Sequence, residues 1–255
     1  MACVTKCSES QIYIGTKAGG HLRHSLQSAK HTIKIVSPYI NQKFLEELLI
    51  QATNGLNVIL ITSEDLYRQY LSQPYNRDIF TILIEQQRHI DQEAQQMAKD
   101  GILYHTKIVK FLAVLMLTSL LCYPVIPKPL GLLPFFILAL LLVIFFKKIK
   151  HYKQMPIYSY TYKSPIKIKI IRDEQTYCKL MHSKIYVIDD IIAYIGSVNF
   201  TYRAFEQNYE TIVKIIDNSA ITDISSEVDR LYNETQFKYI DISVIGRSLY
   251  PEPAY

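Results

Sequence analysis

One stretch in the last third of the chain, residues 181–210, constrains the fold more than any other part. Two short runs rich in isoleucine and valine, residues 185–188 and 191–195, flank the pair Asp189-Asp190. Short β-branched runs bounded by turn residues are typical of buried strands. This stretch therefore predicts two adjacent core strands joined by a tight turn at the two aspartates.

Six residues stand at fixed positions around these strands, in the order H-x-K-x4-D-x6-G-S-x-N: His182, Lys184, Asp189, Gly196, Ser197 and Asn199. Residues two apart on a strand share a face, so His182 and Lys184 are expected to project together. Imidazole acts as a nucleophile or acid/base near neutral pH, and an ammonium attracts phosphate oxygens. Ser197 and Asn199 add hydrogen-bond donors for the same anion. The set predicts phosphoryl chemistry rather than two strands with incidental polar residues.

The stretch resembles the HKD signature of the phospholipase D superfamily, and the resemblance extends into the residues that follow it. F-T-x-x-A and N-x-E occur at Phe200, Thr201, Ala204, Asn208 and Glu210. The resemblance implies that His182 attacks phosphorus and forms a phosphohistidine intermediate. It also implies that Lys184 and Asn199 hold the phosphate oxygens with help from Ser197, and that Glu210 hydrogen-bonds the far nitrogen of His182.

Asp189 belongs to the same signature and is carried over with the catalytic set. Its position between two strands is that of a structural turn residue rather than a phosphate contact. The resemblance implies neither a metal ion nor a cofactor.

The N-terminal part alternates between strand and helix patterns. Strands are predicted at residues 11–14, 31–38 and 56–62, and helices at 21–29 and 42–53. This order predicts an α/β fold with helices covering a largely parallel core. It also resembles the first half of a phospholipase D domain, which implies a mixed sheet flanked by helices. His21 and His31 are predicted to be surface or capping residues.

Residues 76–100 are predicted to form one long helix that ends at Gly101. Leu83, Ile90 and Met97 are seven residues apart, which is the spacing of a thin coiled-coil seam. A solvated helix with one packed face is the preferred interpretation, and a dimer contact is the alternative.

The middle of the chain holds two uncharged apolar runs, residues 111–126 and 130–146, separated by Pro127-Lys128-Pro129. Proline forbids one continuous helix, so the pattern predicts two helices in a tight hairpin. Each run would span about 25 Å as a helix, against about 30 Å for a bilayer core. Flanking lysines can snorkel to cover the difference. A re-entrant hairpin is one alternative, and a buried soluble hairpin is disfavoured because neither run has a polar face.

Lysines give the hairpin an orientation. Six flank it (Lys107, Lys110, Lys147, Lys148, Lys150 and Lys153), and Lys128 lies in its turn. Under the positive-inside rule this predicts a two-pass or re-entrant membrane protein with both soluble parts facing the cytoplasm. These six flanking lysines exceed the formal net charge of +5, so they account for the excess of positive charge. Their position beside the hairpin favours binding to a membrane surface over binding to nucleic acid.

These patterns divide the chain into three parts. Residues 1–105 form the first part of the phospholipase D-like domain, residues 106–153 the membrane hairpin, and residues 154–255 the second part. Within the last part we predict a tyrosine-rich linker at 152–162, strands at 165–172 and 209–216, a helix at 219–235 and a loose tail at 246–255.

Four cysteines, at positions 3, 7, 122 and 178, are too few and too scattered for a disulfide scaffold. Free thiols in a reducing cytoplasm are expected. A metal site that begins at Cys3 and Cys7 lacks a second pair, and a Cys178–His182 pair is disfavoured because the signature already accounts for the histidine. The first residues contain no apolar run, which predicts that there is no cleavable signal peptide.

The chain carries one signature, because the other H-x-K, His105-Thr106-Lys107, lacks the aspartate and the G-S-x-N. In the family a second histidine protonates the leaving group, and members with a single signature supply it by homodimerisation. The resemblance therefore implies a two-fold homodimer with the site at its interface.

Taken together, the sequence predicts a membrane-anchored phospholipase D-like phosphodiesterase that hydrolyses a membrane phospholipid. The alternative is a membrane-tethered, metal-independent endonuclease acting on DNA or RNA, because the motif recognises a phosphodiester of either kind. Lys163, Lys167 and Lys169 could line a nucleic-acid groove, although alternating lysines are more often the solvated face of a strand. A catalytically silent membrane scaffold is disfavoured by the intact signature.

Overall fold

The computed structural model describes residues 7–65, 77–122, 133–172, 181–234 and 238–250. The chain divides into two compact units. The first, here called the sheet unit, comprises residues 1–86 and 162–250, and the second, the hairpin unit, comprises residues 87–161 and 251–255. The predicted boundaries of the membrane segment, residues 106–153, stay a prediction.

The elements follow one another along the chain in a mixed α/β order. The first half contains β1 (Ser10–Thr16), α1 (Gly20–Gln27), β2 (Thr32–Val36), α2 (Gln42–Thr53), β3 (Asn57–Ser63), α3 (Arg77–Leu83), β4 (Glu85–Ile90) and α4 (Gln92–Cys122). The second half contains α5 (Leu133–Lys153), β5 (Tyr158–Lys163), β6 (Lys167–Ile171), β7 (Ile185–Ile188), β8 (Ile192–Gly196), α6 (Tyr202–Glu206), β9 (Tyr209–Ile215), α7 (Asn218–Asn233), β10 (Tyr239–Ile240) and α8 (Ile242–Leu249).

Eight of the strands form one sheet in the order β1-β9-β8-β7-β2-β3-β6-β10. The predicted mixed sheet flanked by helices is therefore confirmed. The prediction of a largely parallel core was wrong, because in this sheet of described strands only the pairs β2–β3 and β3–β6 are parallel. The first strand does not join β2 but pairs antiparallel with β9 at the far edge. The sequence pattern placed β1 in the N-terminal β-α-β unit, because its true partner β9 lies about 200 residues away and leaves no local signal.

Each face of the sheet has its own apolar core. One face carries the fully buried Tyr186 and Tyr194, which pack in a cluster with residues of α1, α2, α3, α6 and α8. The other face carries Val187, Ala193 and Ile215, which pack under α7. Burying a side chain such as Val187 or Ile215 stabilises the fold by about 1.5–3 kcal/mol. Two covered faces explain why β7 and β8 read as apolar runs with little alternation.

The single long helix predicted over residues 76–100 was wrong. The structure ends α3 at Leu83, places the strand β4 at Glu85–Ile90 and begins α4 at Gln92. The strand β4 pairs with β5, which occupies part of the segment predicted to be a linker. Because the three seam residues fall in three different elements, the coiled-coil alternative is wrong as well.

Gly101 does not end a helix but lies inside α4. A Cβ atom at this position would come within 2.5 Å of the Tyr152 ring on α5, so glycine permits the close approach of the two helices. The prediction of a loose tail is wrong for residues 246–249, which form the end of α8, whereas residues 251–255 lie outside the described residues. Gly246 packs against the Tyr162 ring, where a Cβ would come within 2.1 Å.

The hairpin unit consists mainly of α4 packed against α5. The Pro127-Lys128-Pro129 turn lies outside the described residues. Among the described residues one helix, Gln92–Leu121, is long and apolar enough to cross a membrane, and an 18-residue window of it has a mean hydropathy of 1.4 and is 6% buried. Several large apolar side chains of both helices are more than half exposed: Phe111, Val114, Leu117, Leu121, Phe136, Leu140 and Phe146. One candidate span is established, and a two-pass topology stays a prediction.

Candidate active site

Three neighbouring antiparallel strands bring the predicted site residues to one edge of the sheet. Ile185 pairs with Ile195, and Gly196 pairs with Ile212. Lys184 immediately precedes β7, Ser197 immediately follows β8, and Glu210 is the second residue of β9. The start of β7, the end of β8 and the start of β9 therefore meet at the same edge.

His182 and Lys184 are in direct contact, as their spacing predicts. The Lys184 Nζ lies 2.9 Å from His182 Nδ1 and 3.3 Å from Nε2, and it also donates to the His182 carbonyl oxygen at 2.7 Å. An ammonium can only donate, so the ring nitrogen that faces it must carry a lone pair. The contact favours the tautomer whose unprotonated nitrogen faces the Lys184 ammonium.

Lys184 is almost entirely buried, with 5% of its surface exposed, whereas His182 is exposed. Burial lowers the pKa of the Lys184 ammonium from its ordinary value, and the negative charge of Glu210 partly opposes that shift. The site therefore places a reachable nucleophile above a fixed buried cation, an arrangement suited to a phosphate anion.

Glu210 is 8% exposed, and both of its carboxylate oxygens are occupied. Oε2 accepts a hydrogen bond from Ser197 Oγ, and Oε1 accepts from Asn208 Nδ2 at 3.1 Å. Ser197 Oγ in turn accepts from the Thr211 amide at 3.0 Å. In the described part of the chain Ser197 thus orients Glu210, and its assistance to a phosphate stays a prediction, as does a bond from Glu210 to His182.

Asn199 carries the one unsatisfied group of the signature. Its Oδ1 is buried and has no hydrogen-bond partner among the described residues. A buried acceptor without a donor is unfavourable by about 1–3 kcal/mol.

A known family model matches the part of the chain that contains these residues. Residues 145–232 match the family model described as "Cardiolipin synthase, PLD-like domain". All the predicted site residues, from His182 to Glu210, lie within the match. This part of the chain, residues 145–232, is therefore a phospholipase D-like domain.

The curated relatives of this phospholipase D-like chain are larger proteins. Over 60 residues it is 37% identical to cardiolipin synthase 1 of Bacillus cereus and 38% identical to cardiolipin synthase 1 of Bacillus anthracis. Each match covers 23% of this chain and 12% of the relative, so the chain spans only about an eighth of the length of these proteins.

Solved structures that match this fold are less similar in sequence. NucT from Helicobacter pylori is 14% identical with a TM-score of 0.42, and the match covers 87% of this chain and 94% of NucT. Nuc from Salmonella typhimurium is 12% identical with a TM-score of 0.41, covering 91% of this chain and 99% of Nuc. Phosphatidylserine synthase of Haemophilus influenzae Rd KW20 is also 12% identical with a TM-score of 0.41, covering 91% and 40%.

Two residues that the sequence analysis did not single out, Tyr186 and Ser37, hydrogen-bond the backbone of the loop at residues 198–200. The Tyr186 hydroxyl donates to the Val198 carbonyl oxygen at 2.7 Å, and the Phe200 amide donates to Ser37 Oγ at 3.0 Å. Burial raises the pKa of the Tyr186 hydroxyl far above its ordinary value, so it stays a donor. The sequence could have indicated the role of Tyr186, because this residue lies two positions after Lys184 and so shares its strand face. Ser37 gave no such signal, because it follows β2 and is far from the signature in sequence.

Asp189 does not join this group but lies at the opposite end of β7. Its carboxylate accepts hydrogen bonds from the amides of Lys30 (2.9 Å), His31 (2.7 Å) and Thr32 (2.8 Å). Burial alone would raise its pKa, but these three bonds outweigh it and lower the pKa below its ordinary value. Its φ of 53° lies in the left-handed region, as a tight turn requires. The geometry fits the turn interpretation and gives this aspartate no contact with the other site residues.

Replacing Asp189 with alanine is expected to lower the free energy of unfolding by about 2–4 kcal/mol, because three hydrogen bonds are lost and alanine is strained in the left-handed conformation. Asp189→Asn keeps the oxygen that serves His31 and Thr32 and should cost about half as much. Because the folded pKa is depressed, the carboxylate's contribution is present above pH 4 or so and is lost as the pH falls through the folded pKa. Chemical denaturation of both variants at pH 7 checks the ranking, and equal losses would contradict it.

No group of three or more histidine, cysteine or acidic side chains is arranged to hold a metal ion within the described ranges. Cys7 is free and exposed. Cys3, Cys178 and the side chain of Cys122 lie outside what the structure describes, so the Cys178–His182 alternative is untested.

Proposed function

We propose that the protein is a membrane-anchored phosphodiesterase that hydrolyses a phospholipid through a phosphohistidine intermediate on His182. The observation that carries this proposal is the 2.9 Å contact between the Lys184 ammonium and an exposed His182 imidazole, beside the carboxylate of Glu210. Few structural roles require an exposed histidine to lie on a buried lysine.

The reaction would proceed in two displacements at phosphorus. His182 attacks, a P–N bond forms, and the P–O bond to the leaving group breaks as that oxygen takes a proton. Water then attacks the phosphohistidine, loses a proton to a base, and the P–N bond breaks. Lys184 and the Asn199 amide stabilise the negative oxygens through both steps. The proton for the leaving group must come from a second acid, since the described site holds one histidine.

The hairpin unit favours a lipid over a nucleic acid. The exposed apolar side chains of α4 and α5 form a surface that a bilayer would cover, and monomeric soluble proteins rarely expose so much contiguous apolar area. Lys147, Lys148 and Lys150 follow the apolar part of α5 and can pair with anionic headgroups. These lysines also support an orientation with both soluble parts in the cytoplasm.

An endonuclease remains the second candidate, but the structure weakens one of its arguments. Lys163 and Lys167 are exposed, as expected, whereas Lys169 is 7% exposed. The Lys169 Nζ donates to the carbonyl oxygens of Leu231 and Tyr232 at 2.9 Å and to that of Glu234, and so caps the end of α7. Interpreting all three lysines as one solvated row was therefore wrong, and a phosphate groove would have only two of them.

One assay separates the two substrates. Purified full-length protein in lipid nanodiscs is incubated, with chelator present, with labelled phosphatidylglycerol or cardiolipin and separately with single-stranded DNA and RNA. Release of lipid products alone supports the proposal, and cleavage of polynucleotide alone replaces it with the endonuclease. Loss of activity with chelator would contradict a metal-free mechanism.

The second acid is proposed to be His182 of a second copy of the chain. The register aligns Ile12 with Val213 and Val213 with Ile195, which pairs in turn with Ile185. This row lies on the α7 face of the sheet, opposite the face of Lys184 and Tyr186. Ile185 and Val213 pack against the α7 cluster, and Ile12 and Ile14 continue the apolar row onto the edge strand β1. Ile12 and Ile14 are each 63% exposed, and Ile195 is 36% exposed. A two-fold partner packed here would bury the row beside the catalytic edge.

The double variant Ile12→Asp/Ile14→Asp is expected to shift the protein from dimer to monomer and to abolish turnover, because the second acid is lost. Ile191→Asp, an equally exposed isoleucine at the remote turn, should change neither property. Light scattering in amphipol together with the lipid assay measures both. A fully active monomer, or a dimer that the double variant leaves intact, would contradict the proposed interface.

A further inference from the structure

A groove runs between α1 and α2 and encloses a cavity of about 230 Å³. Its floor is formed by Phe44, Phe200 and Phe205, which are almost completely buried, and its walls by Leu26 and Leu48. The three rings pack on one another with centroids 4.7–6.1 Å apart, so the floor is rigid and apolar. None of the proposed catalytic side chains lines this groove.

Arg23 lies in the wall and has a donor to spare. Its guanidinium bonds Glu206 at 3.2 Å and Glu47 at 3.4 Å and lies 5.3 Å from the centroid of the Phe44 ring. Its Nε is buried and has no hydrogen-bond partner among the described residues. A buried N–H of a charged group is costly when unpaired, so an acceptor bound in the groove would stabilise it.

The charges around Arg23 select the kind of acceptor. Two carboxylates, Glu47 and Glu206, surround one guanidinium, so an anionic ligand meets net repulsion where a neutral carbonyl oxygen does not. The cavity has room for about seven or eight groups of water size, taking roughly 30 Å³ for each. An unbranched alkyl chain of that length would lie along Leu26, Leu48 and the phenylalanine floor.

We propose that this groove binds the acyl chain of a neutral glycerolipid, with the ester carbonyl accepting a hydrogen bond from Arg23 Nε. The inference goes beyond the proposed function, because binding here requires no chemistry at His182. It also connects the two, since Phe200 in the floor directly follows Asn199 of the site. A lipid chain resting on Phe200 would meet the loop that carries Asn199.

The test is photo-crosslinking of the full chain in phosphatidylcholine nanodiscs. The probe is a monoacylglycerol with a diazirine in an eight-carbon chain, and its matched control is the fatty acid with the same chain. The monoacylglycerol is expected to label peptides of α1 or α2, and unlabelled monooctanoylglycerol is expected to compete. His182→Ala should label equally well, which separates this result from any failure of the catalytic proposal.

Two variants make the test specific. Arg23→Lys keeps a positive charge beside both carboxylates but removes the Nε donor, so labelling of α1 and α2 should fall about tenfold. Arg203→Lys, an exposed arginine outside the groove, should label like the wild type. Ile50→Trp adds bulk at the exposed rim and should block labelling without disturbing the core.

Three results would overturn the proposal. Labelling could be confined to α4 and α5, the fatty acid could label α1 and α2 as strongly as the ester, or both groove variants could label like the wild type. Thermal melts of each variant confirm that it is folded before labelling is compared.

Discussion

Replacing His182 with alanine is expected to reduce phosphodiester hydrolysis by at least about 10⁴-fold, as the loss of a covalent nucleophile generally does. The methyl group cannot form the P–N bond, and water alone must then displace the leaving group. Stability should change little, because the His182 side chain is exposed and its ring contacts Lys184 through side-chain hydrogen bonds alone among the described residues.

The measurement uses a chromogenic phosphodiester and labelled lipid vesicles side by side. His24→Ala is the matched control, because that histidine is also exposed but lies on α1, away from the site. It should retain wild-type rates. If His182→Ala kept more than about a hundredth of the activity, the residue would be at most an acid or base, whose contribution is commonly 10²–10⁴-fold.

Lys184→Ala is expected to cost about 10²–10³-fold in kcat, the usual effect of removing one charged donor from a developing oxyanion. Arginine should not rescue it, because a planar guanidinium does not fit a 5%-exposed site shaped for an ammonium. The exposed Lys167 is the matched control, and Lys167→Ala should leave kcat unchanged. If Lys184→Ala kept the wild-type kcat, the proposal that Lys184 stabilises the phosphate oxygens would be wrong.

The pH–rate profile gives a second reading of Lys184. Its charge is lost as the pH rises through the folded pKa, which burial has lowered, so the alkaline limb should lie below pH 10.5. Between the folded and unfolded pKa values the unfolded state binds more protons, so the free energy of unfolding should rise with pH there. Both features should disappear in Lys184→Ala.

Spacing within the sequence predicted the local part of the site well. The two-residue step from His182 to Lys184 brought their side chains together, and the Asp189-Asp190 pair is a turn with both φ angles positive. These features depend on residues close in sequence, where strand periodicity and turn chemistry decide the outcome.

Contacts between segments that are distant in sequence could not be predicted from spacing and local propensity. The polar segment Glu85–Ile90 is a strand because β5 pairs with it, about 70 residues later. Gly101 lies within a helix rather than at its end, and the Tyr152 ring of α5 occupies the space where a side chain would lie. Ser37, the residue after β2, supports the catalytic loop from more than 160 residues away along the chain. In each case a tertiary partner overrode local propensity.

Covalent trapping at residue 182 tests the central claim most directly. The enzyme is mixed with a p-nitrophenyl phosphodiester, whose good leaving group lets the intermediate accumulate, and is quenched within milliseconds in alkali, where phosphohistidine survives. Peptide mass spectrometry should find the phosphoryl adduct on His182, appearing with the first burst of nitrophenol and absent from His182→Ala. Full turnover with an unmodified His182 at every quench time would contradict the mechanism.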